Sequence, residues 1–326
     1  MRILFLSGLM ILSSVFVFSQ EEEKKLPKFG KVSQEEMMMT VCPIDTGAHA
    51  FYIFDKGNTD FVPNNYGFRI KFTRHLRIKI LNKSASDVGN FEIPLPEDGT
   101  QLMELKGYTY NYVNGKIEKT KLKSNQIIVE KKDEYLTIKK FALADVREGS
   151  VIEVYYEILG YPFFSMEWRF QSEIPSLYCE YKISIPQYFT YNCTTYGYYP
   201  LKAIKYTNNI GENRTKYYLS DIPAFKEGAF LRTPDNYISR IKFELAGVMF
   251  GGFVNNQSFS HNWEDVNKQL LEHSYFGEVL SKTGFLNDEV KTLKEKKLSE
   301  KEMMTAAYEQ IKKRMKWNNI NSLTAT

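Results

Sequence analysis

The stretch EGSVIEVYYEILGYPFFSMEWRFQSEIPSLYCEYKISIP, residues 148–186, decides the fold class. Residues 151–158 are dense in β-branched and aromatic side chains, Gly160 and Pro162 interrupt them, residues 167–171 resume, and Pro175 closes the segment. Side chains of this kind fit a pleated, half-buried surface, and Gly and Pro punctuate it. Two strands with a connection are expected, and a third over 178–185.

Upstream, residues 66–81 carry the cleanest periodicity in the chain. Phe68, Ile70, Phe72, Leu76, Ile78 and Ile80 share one face, and Arg69, Lys71, Thr73, His75, Arg77 and Lys79 share the other. Alternation with period two predicts a strand with one face on a core and one on solvent. Arg74 falls on the apolar side, either as a buried cation awaiting a carboxylate or at a bulge with a snorkelling side chain. His75 has no partner in the local sequence.

Phe91, Ile93 and Leu95 repeat the alternation before Pro96, and Tyr108, Tyr110 and Tyr112 repeat it before Asn114-Gly115. That dipeptide tolerates the positive φ of a type I′ turn and signals a hairpin. A first short strand is expected over 48–55, and others over 127–129, 135–138, 188–196, 203–207, 216–219 and 237–245, with a turn at 208–212. Many short strands at near-regular spacing predict an antiparallel β-sandwich, so the chain is mainly β.

After Gly251-Gly252 the pattern changes. Asn262 precedes a helix carrying Trp263, Val266, Leu270 and Leu271, a second short helix holds Phe276, Val279 and Leu280, and Ser299 with Glu302 has capping-box spacing. Met303, Met304, Ala307, Tyr308, Ile311 and Met315 then recur on one helical face. Lys312, Lys313, Arg314 and Lys316 complement that helix's C-terminal dipole. Such a helix must bury its apolar stripe, so the chain is expected to be incomplete at Thr326.

At the other end, Met1 and Arg2 precede an apolar run over 3–18 and the acidic residues 21–23. This reads as a cleavable signal peptide, cut after Ser19 or Gln20 and leaving no membrane span. The expected organisation is a signal peptide over 1–19, a linker or loosely docked arm over 20–45, a β-sandwich over 46–250 and a helical segment over 251–326. Export to a bacterial periplasm or cell surface follows. The net charge of +4 is spread along the chain, which argues against nucleic-acid binding.

Three cysteines do not make a disulfide scaffold. Cys179 and Cys193 are close enough in sequence to meet across adjacent strands, but buried unpaired thiols are the favoured reading, since free Cys is among the most buried residue types. No motif ties Cys42, Cys179 or Cys193 to His49, His75, His261 or His273, and the histidines lack zinc-ligand spacing. The expectation is no catalytic, cofactor or metal residue in this chain.

Arg69 and Arg74, Glu148-Gly149-Ser150, Trp168-Arg169-Phe170-Gln171 with Pro175, and Pro234-Asp235-Asn236-Tyr237 occur in an order that resembles exported bacterial transglutaminase-like proteins. In these the N-terminal half is a β-sandwich domain of unknown function, the 3857 domain family. The helices at Trp263 and over 303–317 look like the lead-in to that family's α+β core, so the resemblance covers about residues 28–317. It implies a Cys nucleophile, a His base and an Asp or Asn orienter downstream of this chain, with another residue at the nucleophile position in some members.

Two functions are therefore expected. The first is a non-catalytic scaffold or binding module whose partner is its own C-terminal transglutaminase-like domain, of the cysteine peptidase or amidase type, with peptide as a ligand class. In that setting Trp168, Arg169 and Gln171 are candidate domain-docking residues, Trp168 facing one way and the polar pair reaching carbonyls near the Trp263 helix. The alternative is a carbohydrate-binding module of an exported polysaccharide-processing system. Tyr108, Tyr110 and Tyr112 would be its ligand aromatics, with Tyr196, Tyr198 and Tyr199 a second cluster. A row of aromatics at strand spacing is more often core or an amphipathic sheet surface.

Overall fold

A computed structural model describes residues 26–316 apart from 66, 161–164, 208–212, 227, 229, 230, 232, 250–256, 259–261 and 275. The expected leader over 1–19, the turn at 208–212, Gly251-Gly252 and His261 lie outside the described residues.

Among the described residues fifteen strands follow one short helix, α1 (Gln34–Met38). They are β1 (Ala50–Asn64), β2 (Gly67–Ile80), β3 (Asn90–Pro96), β4 (Gln101–Val113), β5 (Lys116–Lys121), β6 (Ile127–Lys131), β7 (Leu136–Ala142) and β8 (Val151–Gly160). Then come β9 (Ser165–Arg169), β10 (Ser176–Ser184), β11 (Phe189–Tyr196), β12 (Lys202–Thr207), β13 (Asn213–Ile222), β14 (Arg240–Val248) and β15 (Gln257–Ser258). Near the C-terminus are α2 (Trp263–Glu272), α3 (Asn287–Glu295) and α4 (Glu300–Arg314). The fold is mainly β with several antiparallel sheets, as the alternation predicts.

The large sheet has the order β12-β13-β10-β1-β2-β8-β4-β5. Its pairs are antiparallel except β1 with β10, which run parallel from Tyr52↔Ser176 to Thr59↔Ile183. Two small sheets accompany it. In one, β7 lies between β3 and β6; in the other, β14 pairs β11 on one side and β9 and β15 on the other. The β4–β5 hairpin turns at Asn114 and Gly115, with φ of 48° and 79°, as the dipeptide predicts.

Each small sheet has its own core against the same face of the large one. Leu76, Ile78, Ile80, Ile152 and Val154 pack with Ile93, Leu95 and Phe141 of the first small sheet. Cys179, Tyr181, Ile183 and Leu219 pack with Trp168, Ile241 and Phe243 of the second. Gly57 lets the second sheet sit close: the Trp168 ring lies on its backbone and stacks on Tyr181, with centroids 5.4 Å apart.

Along the C-terminal half of β2 the opposite face is not on solvent, contrary to the expectation from its alternation. Arg77 and Lys79 are fully buried there because residues 26–39, read from sequence as a linker or loosely docked arm, lie across them. Met37 is buried against Tyr110 and Val151. Phe29 stacks on Tyr108 and tilts against His75. Ser33 and Glu36 form a capping box that starts α1, and Glu36 takes two bonds from Arg77 Nη1 at 2.7 and 2.8 Å. Lys79 Nζ donates to the carbonyls of Met37 and Gly149, and burial pulls its pKa down to about 8.

Beneath the arm Glu153 accepts four hydrogen bonds. Arg77 Nη2 at 2.5 Å and His75 Nε2 at 2.8 Å share Oε1, while Tyr110 Oη at 2.7 Å and the Gly30 N–H at 2.9 Å share Oε2. Thus His75 does have a partner, 78 residues along the chain.

The capping signals hold in the C-terminal helices. Asn262 accepts from the Asp265 N–H at the start of α2, and Ser299 with Glu302 forms the box that starts α4. The second short helix is a 3-10 turn over Glu278–Ser281, and α3 is an element the pattern does not reveal.

Burial alone would raise the Glu153 pKa, but the His75 hydrogen bond, the Arg77 charge and the Tyr110 hydroxyl outweigh it and hold the carboxyl below its ordinary value. A depressed carboxyl contributes stability that is present above the unfolded pKa, about 4.3, and is lost as pH falls through the folded value. Urea unfolding between pH 3 and 7, taken as a rough working range around that value, should show wild type losing stability at the acid end more steeply than Glu153→Gln. At neutral pH the same substitution should cost about 1–3 kcal/mol, because Arg77 loses one of its two carboxylates while Glu36 still pairs it. Gly57→Ala should destabilise by about 1–3 kcal/mol and alter the near-UV circular dichroism, because the new Cβ would meet the Trp168 ring at 2.5 Å.

Candidate functional site

The two small sheets do not meet along their whole length, and the gap between them is a cleft of about 1290 Å³. Its floor is the large sheet, through Tyr52, Asp55, Phe72, Arg74 and Tyr156. One wall is β3 with Val88, and the other is β9 with residues 170–174 and 233–235.

A bulge in β1 creates the floor. The register between β1 and β2 shifts between Tyr52 and Phe54, so Phe54 pairs Arg77 on the arm side and Asp55 pairs Leu76 on the cleft side. Without the extra residue Asp55 would face the arm. With it, Asp55 takes a two-pronged ion pair from Arg74, Nε–Oδ1 at 3.0 Å and Nη2–Oδ2 at 2.7 Å. This answers the two sequence readings of Arg74: it is a cation on the apolar face whose carboxylate comes from the next strand. Burial works against its charge and Asp55 more than offsets this, keeping Arg74 cationic well above its ordinary range.

Arg74 also lies over Trp168, its Cζ 5.4 Å from the ring centroid. The indole N–H is buried without a hydrogen-bond partner among the described residues, in the same core as the Cys179 sulfur. Burial, then the Asp55 charge, pushes that thiol well above its ordinary pKa, so it holds its proton at neutral pH. Burial likewise pushes Tyr52 up to about 12.

The rim is a chain of ion pairs. Glu167 accepts from Arg169 Nε at 2.9 Å and from Arg240 Nη1 at 2.5 Å, and Arg169 Nη2 reaches Asp235 at 3.1 Å. Arg240 sits over Tyr196 at 4.0 Å, and beyond Asp235 the Tyr237 ring meets Tyr198 at 5.9 Å. Gln171 is buried and ties three segments together, its Nε2 donating to Pro223 O and its Oε1 accepting from the Ser239 N–H.

Trp168, Arg169 and Gln171 are therefore gathered at one cleft. Trp168 is in the inter-sheet core, Arg169 is half-exposed on the rim, and Gln171 is a buried tie. Among the described residues the hydrogen bonds of Arg169 and Gln171 go to Glu167, Pro223 and Ser239, none to α2. Tyr108, Tyr110 and Tyr112 lie on the other face of the sheet, against the arm: Tyr108 on Phe29, Tyr110 on Glu153 and Tyr112 accepting from Gln34. Cys179 and Cys193 are both free, one buried in β10 and the other exposed on β11 in a different sheet. His49 pairs with Ser84. Among the described residues no three His, Cys, Asp or Glu side chains are grouped to hold a metal ion, and no helix is long and apolar enough to cross a membrane. Sequence reasoning missed Asp55, because only the bulge turns it inward.

Residues 68–226 match the family described as Domain of Unknown Function with solved-structure structure (DUF3857). No curated protein matches the chain. Among solved structures, that of a "putative protease" from Parabacteroides distasonis ATCC 8503 is similar, with a TM-score of 0.60 at 17% identity, covering 82% of this chain and 50% of that one. A mutant two-domain M1 zinc metallopeptidase bound to L-arginine scores 0.31 at 10% identity, covering 62% of this chain and 44% of that one. The M1 zinc metallopeptidase from Deinococcus radiodurans scores 0.28 at 8% identity, covering 60% and 42%. The two lower scores carry no argument. What the chain shares with the first structure is the fold, over half the length of that protein, and what it shares with the family is the stretch from β2 to residue 226.

Proposed function

We propose that this chain is a non-catalytic β-sandwich module that binds and positions, the N-terminal portion of an exported transglutaminase-like protein of the cysteine peptidase or amidase type. The observation that carries the reading is how the charged groups around the cleft are spent. Arg74 is committed to Asp55, and Glu167 to Arg240 and Arg169. Groups paired in this way hold a shape, whereas a general base or nucleophile must be open to its substrate at a pKa suited to proton transfer. Cys179, the thiol beneath the cleft, is buried and protonated, the reverse of an activated nucleophile. The family-like order of motifs and the protease description of a longer protein of the same fold support placing the chain beside a reactive domain.

The purified chain should show no turnover of fluorogenic peptide or glutamine-amide substrates above buffer, and Cys179→Ser should change nothing. Turnover that disappears in Cys179→Ser would overturn the reading.

A carbohydrate-binding role has one specific observation in its favour, now on the rim and not on β4. Tyr198 is 76% exposed and its ring meets that of Tyr237. On that reading a glycan array gives signal with wild type and loses it in Tyr198→Ala; an array blank with wild type removes it.

A further inference from the structure

The cleft is bordered by two strand edges that nothing pairs among the described residues, β3 on one side and β9 on the other. Hydrogen bonding in an antiparallel ladder alternates, so two bonds at the ends of β3 fix which of its residues face β7. Leu143 N donates to Gly89 O at 3.0 Å and Glu97 N donates to Tyr135 O at 2.8 Å. Odd-numbered residues of β3 therefore bond β7, and the N–H and C=O of even-numbered ones point to the open edge. Pro94 and Pro96 hold two of these even positions and offer no N–H, the usual way of silencing an edge. The Asn90 N–H is taken by Asp87 O. What stays open is the Glu92 N–H with the C=O groups of Asn90, Glu92 and Pro94, and this part of the strand is the part that lines the cleft.

Across the gap, Phe170 N donates to Ser239 O at 2.8 Å, which by the same alternation turns the main chain of Glu167 and Arg169 outward from β9. On the floor, the Arg74 side chain is 30% exposed, and its Nη1 has no hydrogen-bond partner among the described residues. The lining carries Asp55, Glu92, Glu167, Glu173 and Asp235 against only Arg74 and Arg169. Lys140 and Arg240 stand behind Glu92 and Glu167, and Glu173 still has no ion-pair partner among the described residues.

We infer that the cleft receives an extended peptide bearing Lys or Arg, which pairs as an added strand with the open edge of β3. The guest takes the Glu92 N–H and gives its own N–H groups to the free carbonyls, while Arg74 Nη1 meets a guest carbonyl from below. Recognition is mainly of main chain, with a cationic side chain answering Glu173, the lining carboxylate that has no ion-pair partner among the described residues. This rests on reading the cleft as a ligand site.

The test is fluorescence anisotropy of the full chain with a fluorescein-labelled peptide, Lys-Val-Thr-Val-Lys-Val-Thr-Val. Wild type should bind saturably. Glu92→Pro should weaken binding by about tenfold or more, since it removes the one outward N–H and leaves the bonds to β7 intact, while Glu92→Ala should stay within about threefold. Should Glu92→Pro fail to fold, the peptide itself decides: N-methylation of alternate nitrogens in one phase should abolish binding by wild type and in the other phase leave it. Equal binding by wild type and Glu92→Pro, equal tolerance of both methylation phases, or no saturable binding at about 1 mM peptide, a free-energy floor near 4 kcal/mol, would overturn the inference. Binding that ignores the edge leaves the binding-module reading standing; hydrolysis of the peptide on mixing removes that reading whatever the edge does.

Discussion

A carboxylate in a protein interior must be surrounded by donors, and Glu153 is surrounded by four from three parts of the chain. Tyr110 and the pair His75 and Arg77 come from the strands on either side of β8, and the Gly30 N–H comes from the arm. Each would be costly to bury alone, and together they leave little choice about where the arm lies. The charge of Arg77 is divided between Glu153 and Glu36, so the arm shares an ion network with the centre of the sheet. The sheet's outer face is in this way finished by the first described residues of the chain, and its inner face is left to the two small sheets.

That division of labour shapes the cleft. Two small sheets on one large sheet give two cores, and the gap between them exposes sheet that neither covers. Exposed sheet would ordinarily be polar in a simple alternation. Here it is a compensated pair, Arg74 with Asp55, placed by one extra residue in β1 and roofed on one side by Trp168. Gly57 belongs to the same arrangement, because any Cβ there would lift the indole and the sheet that carries it.

Most strands, the Asn114-Gly115 turn and the caps of α2 and α4 were legible in the sequence, because each is set by local side-chain period or by a residue with a particular backbone preference. What lies on a face was not. The row of Arg77 and Lys79 on β2 reads as solvated because alternation shows which side chains share a face and says nothing of what covers it. The tyrosine row of β4 was ambiguous for the same reason, and Phe29, Met37 and Gln34 resolve it from outside the strand. Of the cleft, Trp168, Arg169 and Gln171 stood out as a signature, whereas Asp55 depended on a bulge that leaves no mark in the residue pattern. Arg74 could be suspected as a buried cation, but its partner lies 19 residues away on another strand.

The one parallel pairing described in the large sheet has a further meaning. Strands β2, β8, β4 and β5 join by antiparallel contacts on one side of β1, and β10, β13 and β12 do so on the other. The seam between these groups is β1 with β10, which brings Tyr52 to Ser176 across more than a hundred residues of chain, a span long enough that closing it costs far more chain entropy than a hairpin. Pairings of such long range raise the fraction of non-local contacts, which goes with slow folding. Tyr52 and Ser176, paired across that seam, both line the cleft, so its floor is assembled from parts of the chain far apart in sequence.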